Sequence, residues 1–272
     1  MLNALTVDVE DWYHVCGVEG RQGLPPTSLE SRVHVGLGRI LDLLGEHRVT
    51  ATFFVLGSIA REAPELVRDI ARRGHEVASH GDAHRRLDDL TPEAFAEDLG
   101  RSLESLSSLT GRRILGFRAP QWSLRRSTWW AFEALARAGL SYDASTVPLT
   151  GMGDRSVPPW PHLVETAAGD VLELPLTTMR CFWEHLPVSG GLPLRVTPYW
   201  FVVEVLRAAN RKGWPHVVYL HPWEFDPGQP RIPLPLGKRF AHYFRLGATE
   251  ERLRWLLPRF PYGPAAAVLG VS

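Results

Sequence analysis

Apolar positions recur along the chain with two different periods. Leu5–Val9, Thr50–Leu56, His75–Ser79, Ile114–Arg118 and His216–His221 are short runs rich in β-branched, aliphatic or aromatic residues, which predict buried strands, and Val171–Trp183 predicts a strand pair with a bend. Between them, Leu29–His47, Pro64–Arg73, Thr91–Thr110, Thr128–Ala138, Pro198–Lys212 and Thr249–Leu257 predict helices. The punctuation agrees: Ser28 is a candidate cap for the first helix, Thr91-Pro92-Glu93 opens the third, and Gly74, Gly111, Gly139 and Gly213 each stand where a helix should stop. Strand and helix alternate over nearly the whole length, the signature of a parallel α/β architecture. The Pro- and Gly-rich stretches Gly151–Pro161 and Pro222–Gly237 read as long loops, and neither an internal repeat nor a domain boundary is visible.

Composition narrows the function classes. Thirty Lys and Arg balance thirty Asp and Glu, which argues against a nucleic-acid partner, since a phosphate backbone demands a basic excess. With 44% hydrophobic and 22% charged residues the chain is a folding, globular one. Its two cysteines, Cys16 and Cys181, make no disulfide framework. The opening MLNALTVDVEDW has no basic and apolar leader pattern, so a cytoplasmic location is expected.

In a parallel α/β sheet, functional groups collect in the loops at the strand C-termini, and the polar residues here follow that rule. The first strand ends in Asp8, Glu10 and Asp11, the third in His80 and His84, the fourth in Arg118 and the last in His221. Two imidazoles four positions apart on one helical turn would face the same way, and a carboxylate from another strand end would complete a three-ligand metal site. Arg118 in Arg-Ala-Pro-Gln-Trp122 offers a guanidinium to a carboxylate at the rim, and His221 follows the apolar strand end at Leu220.

Taken in order, TVDVED (6–11), SHGDAH (79–84), RAPQW (118–122), YDAS (142–145) and YLHPWEF (219–225) resemble the polysaccharide deacetylases of the NodB-homology type, carbohydrate esterase family 4. VDVEDWYHV, HPWEFDPGQPRIP and RFAHYFRLGATEERLRWLL look more narrowly like the deacetylases of exosortase-linked exopolysaccharide gene clusters. The resemblance implies a distorted (β/α) barrel of seven or eight strands. It further implies one polysaccharide deacetylase domain over residues 1–272, with about 222–272 as a subfamily-specific extension packed on the barrel. The implied chemistry is divalent-metal-dependent removal of N-acetyl groups from amino sugars of a polysaccharide or a lipid-linked glycan precursor, in exopolysaccharide biosynthesis. Zinc is the first expectation for the ion, with cobalt, nickel or iron as alternatives.

Carried over by motif, Asp8 matches the catalytic base and His80 and His84 the metal ligands. Arg118 would tether the base, Asp143 would orient the catalytic histidine, and His221 would be the general acid. Trp122 would wall the pocket, with Leu220 beside it, and Trp12, Tyr13 and Trp223 would offer faces for sugar stacking. One departure stands out. The family's first motif has two adjacent aspartates, whereas Val9 follows Asp8 here, so the carboxylate ligand is Glu10 or Asp11. The expected partner is an N-acetylated glycan, and peripheral contact with a membrane-linked glycan is compatible with that. Two other readings remain: an allantoinase-like hydrolase of a small non-peptide amide on the same scaffold, and a metal-free glycan-binding barrel.

Overall fold

The structure is a computed structural model that describes residues 1–14, 29–151 and 153–272, so Cys16 and the proposed cap Ser28 lie outside the described residues. The strands are β1 (Asn3–Val9), β2 (Thr52–Val55), β3 (Glu76–Ser79), β4 (Gly116–Phe117), β5 (Tyr142–Asp143), β6 (His162–Thr166), β7 (Gly169–Glu173), β8 (Thr178–Cys181), β9 (Glu184–Pro187), β10 (Val217–Leu220) and β11 (Tyr262–Gly263). The helices are α1 (Val33–His47), α2 (Gly57–Glu62), α3 (Pro64–Arg72), α4 (Pro92–Thr110), α5 (Ala131–Arg137), α6 (Gly191–Val196), α7 (Tyr199–Arg211), α8 (Leu236–Tyr243), α9 (Ala248–Leu256) and α10 (Ala265–Leu269).

One sheet runs β10-β1-β2-β3-β4-β5-β7-β6, with β11 added to β1. Its ladders are parallel, as the strand–helix alternation predicts, except for the antiparallel β6–β7 pair. The wall is closed from β5 back to β10 by the segment between β7 and α6 rather than by a ladder. There Leu174 N–H donates to Asp143 O at 2.9 Å, Tyr219 N–H to Ser189 O at 3.1 Å, and Val217 N–H to the Thr177 hydroxyl at 2.7 Å. The result is a distorted (β/α) barrel, from which β8 and β9 project as a separate hairpin.

Strand alternation divides the residues of β1 between two environments. Leu5, Val7 and Val9 enter the main apolar core with α1 residues such as Leu37, Ile40 and Leu44. Ala4 packs in the barrel interior with Phe54, Ala78, Tyr142 and Val217. Thr6 and Asp8 continue that inner face toward the C-terminal rim, where both are reached by one guanidinium nitrogen of Arg118. The interior therefore grades from apolar at one end to charged at the other. Gly116 is required by this packing, because a Cβ there would lie 1.9 Å from the Tyr142 ring.

The helix signals of α4 are met: the Thr91 hydroxyl accepts from Ala94 N–H at 3.2 Å, and Gly111 closes the helix in the left-handed region. Helix α8 falls in and beyond a stretch read as loop. It follows Pro235 and buries only His242 and Tyr243 of its eight residues, so it leaves no core-facing periodicity in the sequence.

Helix α1 lies directly against the turn Pro222–Phe225 that follows β10, and a Cβ on Gly36 would fall 1.8 Å from the Pro222 carbonyl oxygen. Backbone cannot yield there as a flexible side chain would. Gly36→Ala is expected to lower stability by about 1–3 kcal/mol in denaturant unfolding, the usual cost of overpacking. An unchanged unfolding midpoint would contradict this packing.

Candidate active site

The inner face of β1 continues past the strand end. Period-two alternation places Glu10 on the side of Thr6 and Asp8, and the structure brings its Oε1 to 2.9 Å from both His80 Nε2 and His84 Nε2. These three buried residues are the one group of at least three candidate ligands among the described residues, with their ligand atoms within 4.8 Å of one another. Asp11, the alternative ligand, points elsewhere. Its carboxylate accepts from the Ser31 hydroxyl at 2.5 Å and from the backbone N–H of Trp12 and Arg32 at 2.9 and 3.0 Å, tying down the segment before α1.

The two histidines converge by a different device from the helical turn expected. Residues 80–84 form a bent loop in which Gly81 (φ +78°) and His84 (φ +54°) are left-handed. A Cβ on Gly81 would also stand 3.1 Å from Asp98 Oδ2. Left-handed backbone at a non-glycine residue such as His84 costs energy that its surroundings must supply, a pattern concentrated at functional sites.

The donor chemistry fits a divalent ion. His80 Nδ1 lies 2.8 Å from the Arg118 carbonyl, which only accepts, so Nδ1 carries the hydrogen and Nε2 turns a lone pair toward Glu10. At 2.9 Å a proton or a metal ion has to stand between that lone pair and the carboxylate. A carbonyl behind a ligating imidazole is also the usual outer support of a metal ligand. Burial works to raise the Glu10 pKa, yet the charge of His84 and the hydrogen bonds from His80 and His84 hold it well below the ordinary range. His14 stacks beside His84, its ring centroid 4.9 Å away, and burial pushes its pKa down to about 3, so it is neutral.

Asp8 and His221 stand next to this trio. Arg118 Nη1 donates to Asp8 Oδ1 at 2.7 Å, while Arg118 Nε donates to the Ala144 carbonyl at 2.9 Å and its guanidinium lies 4.2 Å from the Phe54 ring centroid. The Asp8 Oδ2 atom is 3.9 Å from His221 Nε2. Asp143, expected to orient His221, does not touch it. It ends β5, accepts from Ser145 N–H and hydroxyl at 2.9 and 2.6 Å, and pairs with Glu173. Burial raises both of those carboxyls, and Glu173 further still because Asp143 is beside it, so the pair holds a proton. The acid on His221 is Glu224, whose Oε1 lies 2.9 Å from His221 Nδ1, within the 3₁₀ turn that follows β10.

Burial alone would lower the His221 pKa. The Glu224 hydrogen bond and the nearby charges of Glu10, Glu224 and Asp8 outweigh it and raise the imidazole to about 9. Behind Glu224 stands the fully buried Arg195, with Nε 3.4 Å from Glu224 Oε2 and its other nitrogens donating to the carbonyls of Ala241, His242 and Phe244 at the end of α8. Neither Glu224 nor Arg195 was singled out in the sequence. The readable sign of Glu224 was an acid three residues after a strand-end histidine, while Arg195 left none, because the carboxylate and the α8 carbonyls that it ties together lie 29 to 49 positions away.

The aromatic candidates divide. Trp122 lies with its ring 5.0 Å from the Arg118 guanidinium and edge-on to Tyr219, on a left-handed backbone shared with Gln121. Trp223 is stacked between His221 and His242, at 4.9 and 4.2 Å. Trp12 is buried, its indole N–H donating to the Glu30 carbonyl, and Tyr13 packs edge-on against it. Leu220 is fully buried in the core beneath the helices, because Tyr219 and His221 occupy the inward-facing alternate positions. The stacking expected of Trp12 and the pocket contact expected of Leu220 are thus replaced by packing.

Comparison with known proteins adds to this picture. The polysaccharide deacetylase family model matches residues 35–141, and a domain of unknown function, DUF3473, matches residues 144–270. A chitooligosaccharide deacetylase of Rhizobium leguminosarum bv. trifolii is 45% identical over 71 residues, covering 26% of this chain and 33% of the relative. A peptidoglycan deacetylase of Helicobacter pylori is 32% identical over 111 residues, 41% of this chain and 37% of the relative. The chain thus spans about a third of the length of these relatives. Among solved structures, a Mycobacterium smegmatis protein assigned to the polysaccharide deacetylases aligns over 98% of this chain and 90% of its own, with a TM-score of 0.65 and 24% identity. The Puue allantoinase aligns over 96% and 85%, with a TM-score of 0.60 and 18% identity. A CE4-family pseudoenzyme of Bacillus anthracis aligns over 98% and 65%, with a TM-score of 0.55 and 15% identity. At these identities the structures speak for the fold alone, while residues 35–141, from α1 to the residue before β5, carry the sequence similarity to the polysaccharide deacetylases.

Proposed function

We propose that the chain is a metal-dependent hydrolase that removes N-acetyl groups from amino sugars of a polysaccharide or lipid-linked glycan precursor, in exopolysaccharide biosynthesis. The convergence of Glu10, His80 and His84 beside the Asp8–Arg118 and His221–Glu224 pairs carries this reading. The relatives named for deacetylation of chitooligosaccharide and peptidoglycan support the substrate class. Zinc suits two imidazoles and one carboxylate with positions left open.

Glu10, His80 and His84 would hold a divalent ion, which would supply Lewis-acid polarisation of the acetamide carbonyl and a lowered pKa for a water. Asp8 takes the proton of the attacking water, with Arg118 fixing the position of its carboxylate. His221, kept protonated by Glu224, delivers its proton to the departing amine nitrogen. The acid thus starts in the protonation state that its role requires. Trp122 and Trp223 flank the two halves of this proton-transfer pair.

The substrate class is tested with N-acetylated chitooligosaccharides and allantoin, following acetate release and ring opening in parallel. Acetate release that is abolished by chelation, restored by zinc, and absent in His80→Ala/His84→Ala is expected. Ring opening of allantoin without acetate release from any glycan would favour the small-amide reading instead.

The His221–Glu224 pair gives a separate prediction. In metal-free protein the His221 ring should titrate near 9 by NMR, and Glu224→Gln should move it down by more than one pH unit, because burial then acts with less opposition. With the folded pKa raised above the ordinary 6.5, the stabilisation from this proton is complete below about pH 6.5 and is lost as pH rises toward 9. His221→Ala should lower kcat by roughly 10²–10⁴-fold while the protein stays folded. A ring titrating at or below 6.5 in the parent protein would contradict the assignment.

A further inference from the structure

Helix α8 is an anomaly in a protein this well packed. Leu236, Phe240 and Phe244 follow one another at intervals of four and are 85%, 52% and 40% exposed, and the rings of Phe240 and Phe244 stack with centroids 4.4 Å apart. This spacing makes a single apolar stripe along the outside of the molecule. The stripe does not face a neighbouring element, because the buried side of the helix is made by His242 and Tyr243.

The charge around the stripe is as one-sided as its hydrophobicity. Residues 227–248 contain Arg231, Lys238, Arg239 and Arg245 and no acidic residue, in a chain whose formal charge is zero. All four basic residues are exposed. An exposed apolar stripe flanked by cations is the pattern of an interfacial helix, whose apolar side enters the headgroup boundary while its cations meet anionic lipid. A soluble glycan chain would give Leu236 and Phe240 little to bury against, and a neutral protein partner would not answer the basic bias of Arg231, Arg239 and Arg245.

The element is also fixed to the active centre. Arg195 holds the last carbonyls of α8 and the Glu224 carboxylate together, and His242 of α8 stacks on Trp223, which stacks on His221. A surface seated on α8 would therefore lie at a fixed distance from the proton-transfer pair.

We propose that α8 and its basic flanks form a docking surface for an anionic lipid bilayer, seating the mouth of the barrel against the headgroups. This deepens the reading of a lipid-linked glycan as substrate and rests on it only for its purpose, because the docking itself is measured without substrate. Flotation of the full chain with phosphatidylglycerol-containing vesicles and with pure phosphatidylcholine vesicles is the experiment. Binding to the anionic vesicles only, weakened in high salt, is expected. Leu236→Ser/Phe240→Ser should weaken it at least tenfold, and Arg239→Glu and Arg245→Glu should each weaken it by about fivefold or more. Circular dichroism and acetate release from a soluble chitooligosaccharide serve as controls on these variants and should match the parent. Failure of the parent to float, or equal flotation of parent and Leu236→Ser/Phe240→Ser, would overturn the proposal while leaving the deacetylase reading to its own test. Concentration-dependent dimerisation lost in the same double variant, without flotation, would assign the stripe to a second copy and would equally overturn it.

Discussion

Taking a carboxylate out of water costs several kcal/mol unless cations and hydrogen bonds replace the solvent. Asp8, Glu10 and Glu224 are all buried at one rim of this barrel, and each is supplied with its own compensation. Asp8 has Arg118, Glu10 has two imidazoles, and Glu224 has His221 on one oxygen and Arg195 near the other. Much else in the fold serves these pairings. Arg118 reaches inward because β4 and β1 both contribute to the barrel wall, and His221 reaches Asp8 because the first and last long parallel strands are neighbours. The left-handed loop at Gly81 and His84 is the local cost of aiming two imidazoles at one oxygen.

The same arrangement explains the division of labour along the sequence. The deacetylase match, residues 35–141, contains His80, His84 and Arg118, while Asp8 and Glu10 precede it and His221 and Glu224 lie in the segment matched by the domain of unknown function. Parallel pairing of β1 with both β2 and β10 brings these stretches to one rim. A related fold is found in a pseudoenzyme, so barrel geometry by itself does not imply catalysis. What separates this chain from a bare scaffold is the set of compensated charges, which has no evident structural purpose that an apolar rim would not serve as well.

How far the sequence could be read follows from the range of each interaction. The strand and helix order was legible because burial repeats with periods of two and 3.6. The groups at the strand ends were legible because polar residues immediately after apolar runs are conspicuous. The choice between Glu10 and Asp11 stayed open, although strand alternation already favours the residue two positions after Asp8. Asp143 was assigned to His221 through family resemblance, and the spatial partner turned out to be the acid within the same 3₁₀ turn. The convergence of His80 and His84 was expected from a helical turn and is achieved by left-handed backbone instead, which four-residue spacing alone cannot distinguish. Trp12 and Leu220 are apolar residues beside a site whose neighbours point the other way. Helix α8 was hidden because a helix with most of its residues exposed leaves no core-facing pattern.

The proposed chemistry depends most on Glu10 joining His80 and His84 around one ion. X-ray absorption spectroscopy of the zinc-loaded protein, repeated on Glu10→Gln and Asp11→Asn, addresses this directly. Two imidazole nitrogens and a carboxylate oxygen are predicted, with the spectrum altered in Glu10→Gln and retained in Asp11→Asn. A spectrum without imidazole scattering, or one altered in Asp11→Asn but retained in Glu10→Gln, would contradict it.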